Sequence, residues 1–342
     1  MTKTTHMYKE IREIPAVVRA LLTDGLAPIK ATAQALRRSD PAFIATVARG
    51  SSDHAATYFK YAAELTLGLP VASVGPSIAS IYGAKLKLGG AACVGISQSG
   101  QSPDIVAMAQ SAHEQGALSV AITNDPASPL AQASDHCLNI HAGAERSVAA
   151  TKTFVTSAVA GVALLAYWKQ DHALIEALST LPDDLEVATR QNWPELREKM
   201  AKRNSLFVLG RGPSYAISNE AALKFKETCQ IHAESYSSAE VLHGPVSIVE
   251  PHYPVLALAS RDASESAIVE VADKLAAQGA DVFITSELAQ HSHELAFAKT
   301  GHPLLDPLAL IVSFYAFIER LSIDRGSNPD TPRNLKKVTE TV

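Results

Sequence analysis

Short apolar runs alternate with longer stretches of helical periodicity, and this alternation limits the fold more than any other feature of the chain. Residues 43–48, 71–74, 92–96, 118–122 and 136–140 read as strands, with helices expected over 53–67, 103–115 and 151–169. Strands that are short and apolar throughout are buried on both faces, which points to a parallel sheet covered by helices on each side. The pattern starts again after residue 200, with strands at 205–209, 255–259 and 281–284 and helices at 215–230, 263–278 and 307–320. Two further helices are expected ahead of the first strand, over 7–22 and 29–38. Pro15 should kink the first or start a new one. Residues 174–198 read as a mostly helical connection that carries Leu-Pro-Asp-Asp at 181–184.

The two halves share a turn. The first strand runs into Arg49-Gly-Ser-Ser52 and then a helix; residues 206–209 run into Gly210-Arg-Gly-Pro-Ser214 and then a helix. The turns stand about 160 residues apart, which is a domain's length and too long for a solenoid repeat. Two copies of one α/β fold are therefore expected, in keeping with roughly 150 residues per domain; a chance likeness of two strand–turn–helix units is the alternative. The expected division is 1–170 for the N-terminal helices and first domain, 171–325 for the second domain, and 326–342 for a polar tail.

Composition narrows the class. Hydrophobic residues make up 47% of the chain and charged residues 19%, so a sizeable core is available and disorder is excluded. A net charge of −5 argues against a broad nucleic-acid surface but leaves room for a small anion held by hydroxyls and amides. Cys93, Cys137 and Cys229 lie far apart without CxxC spacing, which speaks against a disulfide framework and a cysteine zinc site. The N-terminus lacks the apolar core of a signal peptide. The longest apolar stretch, 157–168, falls short of the ~20 residues of a spanning helix, so no membrane association is expected and the location is expected to be cytoplasmic.

Three constellations carry chemistry. In the first, Ser97, Gln98, Ser99 and Ser102 crowd around Gly100 between a strand and a helix. Such a loop can hold a phosphate with neutral donors and a helix N-terminus, and it lies at the carboxyl end of a strand, where parallel sheets bind ligands. An ordinary Ser/Gly turn with an N-cap is the bland alternative. In the second, Glu220, Lys224 and Glu227 fall on one helix face, either as a solvated salt-bridged stripe or as acid/base groups beside a sugar phosphate. His232, Glu234, Glu240 and His243 follow, and His243-Gly-Pro245 places an imidazole in a tight turn. Neither that group nor His291-Ser-His293, read as solvated loop, matches a common zinc spacing, and no metal is expected. The third is the tail 329–337, with Arg333 and Lys337: a frayed terminus, or a segment that folds over a site and delivers a lysine.

Together these motifs resemble the sugar isomerase (SIS) family, above all the isomerase half of glucosamine-6-phosphate synthases. The resemblance rests on Ser-Gln-Ser-Gly at 97–100, Ser-Val-Ala-Ala-Thr-Lys at 147–152 and Glu-Ala-Ala-Leu-Lys-Phe-Lys-Glu at 220–227. Ile-His-Ala-Glu at 231–234, His-Gly-Pro at 243–245 and Pro-Arg-Asn-Leu at 332–335 complete it in the same order. It implies two tandem SIS domains, each a parallel sheet flanked by helices in a flavodoxin-like three-layer sandwich. It also implies that Ser97, Gln98, Ser99 and Ser102 bind the sugar phosphate, with Ser52 and the backbone near Val148. Glu227 would move a proton between C1 and C2. His243 would assist ring opening, reaching the site from the neighbouring subunit of a homodimer. Lys337 would form a Schiff base with the open-chain ketose, and Lys224, Glu220 and Arg333 would supply supporting charges.

Two departures bear on the reaction. Gln101 stands where the synthases carry Glu, and Ser102 replaces Thr while keeping its hydroxyl. The chain opens Met-Thr-Lys, so a glutaminase domain is not expected of it, nor glutamine as its source of ammonia. The resemblance then points to the SIS-type glucosamine-6-phosphate deaminases, which yield fructose 6-phosphate and ammonia without metal or organic cofactor. A phosphosugar aldose–ketose isomerase, a fructosamine-phosphate deglycase, and a phosphosugar sensor without chemistry are the alternatives.

Overall fold

The computed structural model describes residues 4–337, so residues 338–342 of the expected tail lie outside it. The chain divides into two compact units. Among the described residues, one comprises 4–12, 146–151 and 183–335; the other comprises 13–145, 152–182 and 336–337.

The second of these is built on β1 (Ile44–Val47), β2 (Val71–Ser73), β3 (Ala92–Ile96), β4 (Leu118–Thr123) and β5 (His136–Asn139). All pairings are parallel and the strand order is β2-β1-β3-β4-β5. Around the sheet lie α2 (Leu26–Ser39), α3 (Ser51–Leu67), the short α4 (Ser77–Ser80), α5 (Pro103–Glu114), the short α6 (Pro129–Gln132) and α7 (Lys152–Lys169). Helix α7 is buried almost all round and packs on α2 and α3, so its sequence is apolar without a polar stripe. Gly161 lets α3 come close, since a Cβ there would stand 3.0 Å from the Phe59 ring.

The other unit carries α9 (Pro194–Met200), β6 (Ser205–Gly210), α10 (Pro213–Cys229), β7 (His232–Ser237), β8 (Pro254–Ala257), α11 (Glu265–Ala277), β9 (Asp281–Ile284), β10 (His293–Glu294) and α12 (Asp306–Asp324). Two 3₁₀ turns, Glu240–Leu242 and Pro245–Ile248, follow β7. The sheet is again wholly parallel, in the order β10-β9-β8-β6-β7. Counted from its own first strand, each sheet therefore runs 2-1-3-4-5, the flavodoxin-like order. The core of this unit is aromatic where α10 meets α12: Phe225 meets Phe314 at 5.2 Å and Phe317 at 6.0 Å, edge to face.

Helices α1 (His6–Asp24) and α8 (His172–Ala188) each run from one unit's residues into the other's. Both hold a proline without ending. Pro15 does not start a new helix, because Met7, Ile11, Ile14, Val18 and Leu21 form an apolar stripe no more than 2% exposed, and its burial outweighs the lost hydrogen bond. Among the described residues no helix is long and apolar enough to cross a membrane.

Two strands lie outside the sequence reading. β7 and β10 are the edges of their sheet, where side chains need not be apolar, and the sequences His-Ala-Glu-Ser-Tyr-Ser and His-Glu carry no strand signal. His293, expected in a solvated loop, is exposed as read, but it sits on β10 with its ring stacked on Phe283 at 5.0 Å.

Candidate functional site

The serine loop follows β3, and the Arg49-Gly-Ser-Ser turn follows β1. These strands are neighbours at the point where the strand order reverses, so both loops open at the position where such sheets bind ligands. Gly50 has φ 59° and ψ −134°, a conformation for which glycine is suited, and it starts α3 with Ser51 and Ser52 in the first turn. Gly100 turns the second loop at φ 62°, and a Cβ there would stand 2.2 Å from the Ser128 hydroxyl. The loop is tied down from below. The Ser97 N–H donates to the Ile122 carbonyl at 3.1 Å, the Asn124 N–H to the Gln98 carbonyl at 3.1 Å, and the Leu130 N–H to the Gly100 carbonyl at 3.1 Å.

Within the loop the Ser97 hydroxyl accepts from the Gly100 N–H at 3.2 Å, and the Ser99 hydroxyl from the Gln101 N–H at 3.3 Å. Ser102 occupies the N-cap position of α5, yet its side chain makes no capping hydrogen bond. The two loops are joined by an ion pair between Arg49 and the buried Asp104 of α5. Such a loop, with a helix N-terminus behind it, can bind one phosphoryl group through hydroxyls and backbone N–H groups.

The other unit repeats the turn. Gly212 has φ 57° and ψ −135°, within a few degrees of Gly50, and starts α10. Glu220, Lys224 and Glu227 share one face of this helix, and the face is buried rather than solvated. The side chains of Glu220 and Lys224 are 0% exposed and that of Glu227 is 19% exposed. The Lys224 ammonium stands 3.1 Å from Glu220 Oε1 and 2.5 Å from Glu227 Oε2. The Tyr315 hydroxyl, from α12, donates to Glu220 Oε1 at 3.1 Å. Burial alone would lower the Lys224 pKa, but the two carboxylates override it and hold the ammonium well above the usual lysine range. The result is a fixed, dry anchor that leaves Glu227 as the group of the three able to meet solvent or a ligand.

His243 closes the first 3₁₀ turn and is exposed, with its N–H on the Glu240 carbonyl at 2.9 Å. Val148 is half-buried, and its N–H donates to the Asp330 carbonyl at 3.2 Å. Arg333 is exposed. Lys337 lies in the same unit as the serine loop, and its ammonium stands 2.7 Å from Glu145 Oε2. The serine loop, Ser52 and Lys337 thus belong to one unit; Glu220, Lys224, Glu227, His243, Val148 and Arg333 belong to the other.

Sequence reasoning missed three supporting residues. Asp330 clamps the start of α1, its two carboxylate oxygens accepting from the His6 and Met7 N–H groups at 2.8 Å each. Glu10 holds the 146–151 segment through the backbone of Arg146 and Ser147 and the Ser147 hydroxyl. Glu145 receives Lys337. Each pairs with residues more than a hundred positions away, so no local spacing announces it.

Among the described residues no three His, Cys, Asp or Glu side chains stand together as a metal would require. All three cysteines are free, and burial pushes the Cys93 and Cys229 thiols up to about 12, which suits packing and not nucleophilic attack.

Comparison with known proteins agrees with this architecture. The SIS domain model matches residues 39–167 and 199–316. A glutamine–fructose-6-phosphate aminotransferase [isomerizing] of Symbiobacterium thermophilum is 32% identical over 97% of this chain. The chain spans 58% of that relative's length. A crystal structure from Silicibacter pomeroyi, provisionally assigned as a phosphosugar isomerase, is 59% identical with a TM-score of 0.94, over 96% of this chain and 100% of the other. The C-terminal domain of glucosamine-fructose-6-phosphate aminotransferase from Francisella tularensis is 27% identical with a TM-score of 0.85, over 97% and 99% of the two chains. With its two parallel sheets, its paired glycine turns and its serine loop, the chain belongs to the SIS domain family.

Proposed function

We propose that the chain is a phosphosugar isomerase that acts on an amino-sugar phosphate, and that its reaction is the conversion of glucosamine 6-phosphate and water to fructose 6-phosphate and ammonia. The observation that carries this is the buried Glu220–Lys224–Glu227 array, which fixes one partly exposed carboxylate for proton transfer. The aminotransferase relatives named above act on the same ketose phosphate and support the choice of sugar.

In this reading Ser97, Gln98, Ser99, Ser102 and Ser52 hold the phosphate, with the Val148 backbone and Arg333 assisting. His243, contributed by the neighbouring subunit of a homodimer, opens the pyranose. Glu227 removes the C2 proton of the open-chain aldehyde and returns it at C1. The electrons move through the carbon–carbon bond, leaving a primary alcohol at C1 and a ketimine at C2. Water adds to the ketimine carbon and ammonia departs. Lys337 offers an alternative nucleophile for that carbon. Lys224 keeps Glu227 oriented, and Glu220 balances the lysine.

The test is to incubate the protein with glucosamine 6-phosphate and follow ammonia and fructose 6-phosphate in the same reaction. Equal release of both is expected. Interconversion of glucose 6-phosphate and fructose 6-phosphate without ammonia from the amino sugar would replace the deaminase with a simple isomerase. Binding of the amino sugar with neither product would replace it with a sensor.

A further inference from the structure

We propose that Glu145 is a positioning residue that seats the tail lysine as an ammonium and withholds its amine from carbonyl carbon until the pair opens. The inference rests on the reading of Lys337 as the amine of the proposed reaction.

The acceptor is built in advance. Glu145 is 0% exposed at its side chain, and Oε2 takes the Thr153 hydroxyl at 2.8 Å while Oε1 takes the Thr153 N–H at 3.2 Å. Thr153 lies in the first turn of α7, a helix buried along most of its length, so the carboxylate is fixed against a helix N-terminus that favours its charge. Lys337 is 27% exposed and stands at the end of a long flexible stem. A buried carboxylate that loses its cation is costly, so the pair draws the tail in.

The chemistry of the amine follows. An ammonium has no lone pair to give. When the pair opens, Nζ gives one proton to water. The neutral amine then forms a carbon–nitrogen bond to C2 of an open-chain ketose, and the carbonyl oxygen leaves as water with the two remaining amine hydrogens.

The experiment uses the full chain and needs no sugar in its first arm. The protein is treated with a limiting amine-acylating reagent and the rate at Lys337 is read by peptide mass spectrometry against Lys85, which is 67% exposed. Acylation of Lys337 at least tenfold slower than of Lys85 is expected, with a rise of the same order in Glu145→Gln and return towards the native rate in Glu145→Asp. In the second arm, fructose 6-phosphate and cyanoborohydride should trap an adduct on Lys337 several-fold faster in Glu145→Gln than in the native protein. A native Lys337 that reacts as fast as Lys85 overturns the proposal, as does a folded Glu145→Gln with unchanged acylation. If Glu145→Gln fails to fold, the native comparison decides alone. Slow acylation released by Glu145→Gln, with no trapping in any variant, leaves the seating in place and refutes Lys337 as the amine.

Discussion

A lysine with no exposed surface keeps its charge inside a protein when opposite charge stands beside it, and Lys224 has two carboxylates within 3.1 Å. Lys224→Met keeps the volume but takes the ammonium away from the buried Glu220 and from Glu227. We expect a loss of about 3–5 kcal/mol in urea unfolding, the usual cost of breaking a buried pair from one side. The pair's dependence on pH has a definite sign. The lysine's folded-state pKa lies above its ordinary 10.5, so its stabilisation is complete below that value and is lost only as the pH rises past it. Asp135 and Asp273 behave oppositely. Burial opposes their ionisation, but hydrogen bonds from Ser119 to the first, and from Gln290, His291 and Ser292 to the second, hold both below the ordinary 3.8. Their contribution is present above that value and falls away in acid. A urea midpoint followed from pH 3 to pH 10 in the native protein and in Asp273→Asn should show the gap between the two widen as the pH rises through the acidic limb, with no loss from Lys224 at neutral pH. Spacing alone showed that Glu220, Lys224 and Glu227 share a face; it could not show which way the face points, and the solvated stripe it allowed is replaced by a buried network.

At the scale of the element, the paired turns are the clearest link between sequence and structure. Arg49-Gly-Ser-Ser and Gly210-Arg-Gly-Pro-Ser read as the same unit, and Gly50 and Gly212 prove to share a backbone conformation to within 2° in each angle. The helices and inner strands were legible because they bury apolar residues at a fixed period. β7 was not, because an edge strand of His, Glu, Ser and Tyr carries no such period. The serine loop depends on Gly100 in a way that can be measured. In Gly100→Ala the new methyl must strain a φ of 62° and push into Ser128. We expect the fold to persist with sugar-phosphate affinity at least tenfold weaker by calorimetry; native affinity in that variant would remove the loop from the phosphate site.

Across the whole molecule, each unit repeats one strand order, 2-1-3-4-5, while the residues on it have diverged. One unit keeps serines after its third strand; the other keeps charge on the helix after its first. The repeat was visible in the sequence from its turns and from the alternation of strand and helix. The clamps made by Glu10, Asp330 and Glu145 were not, because contacts across more than a hundred residues leave no local trace. Glu227 is the point on which the functional account rests. The most direct test follows the C2 proton of glucosamine 6-phosphate by NMR in heavy water, with native protein and Glu227→Gln side by side. With the native protein the account predicts that the C2 proton is lost and that C1 of fructose 6-phosphate gains one hydrogen, the C2 proton itself or solvent deuterium where the Glu227 carboxyl exchanges before returning it. It predicts a C2 proton left in place by Glu227→Gln, with turnover lower by about 10²–10⁴-fold, the usual contribution of one proton-transfer group. Native turnover by a folded Glu227→Gln would contradict it.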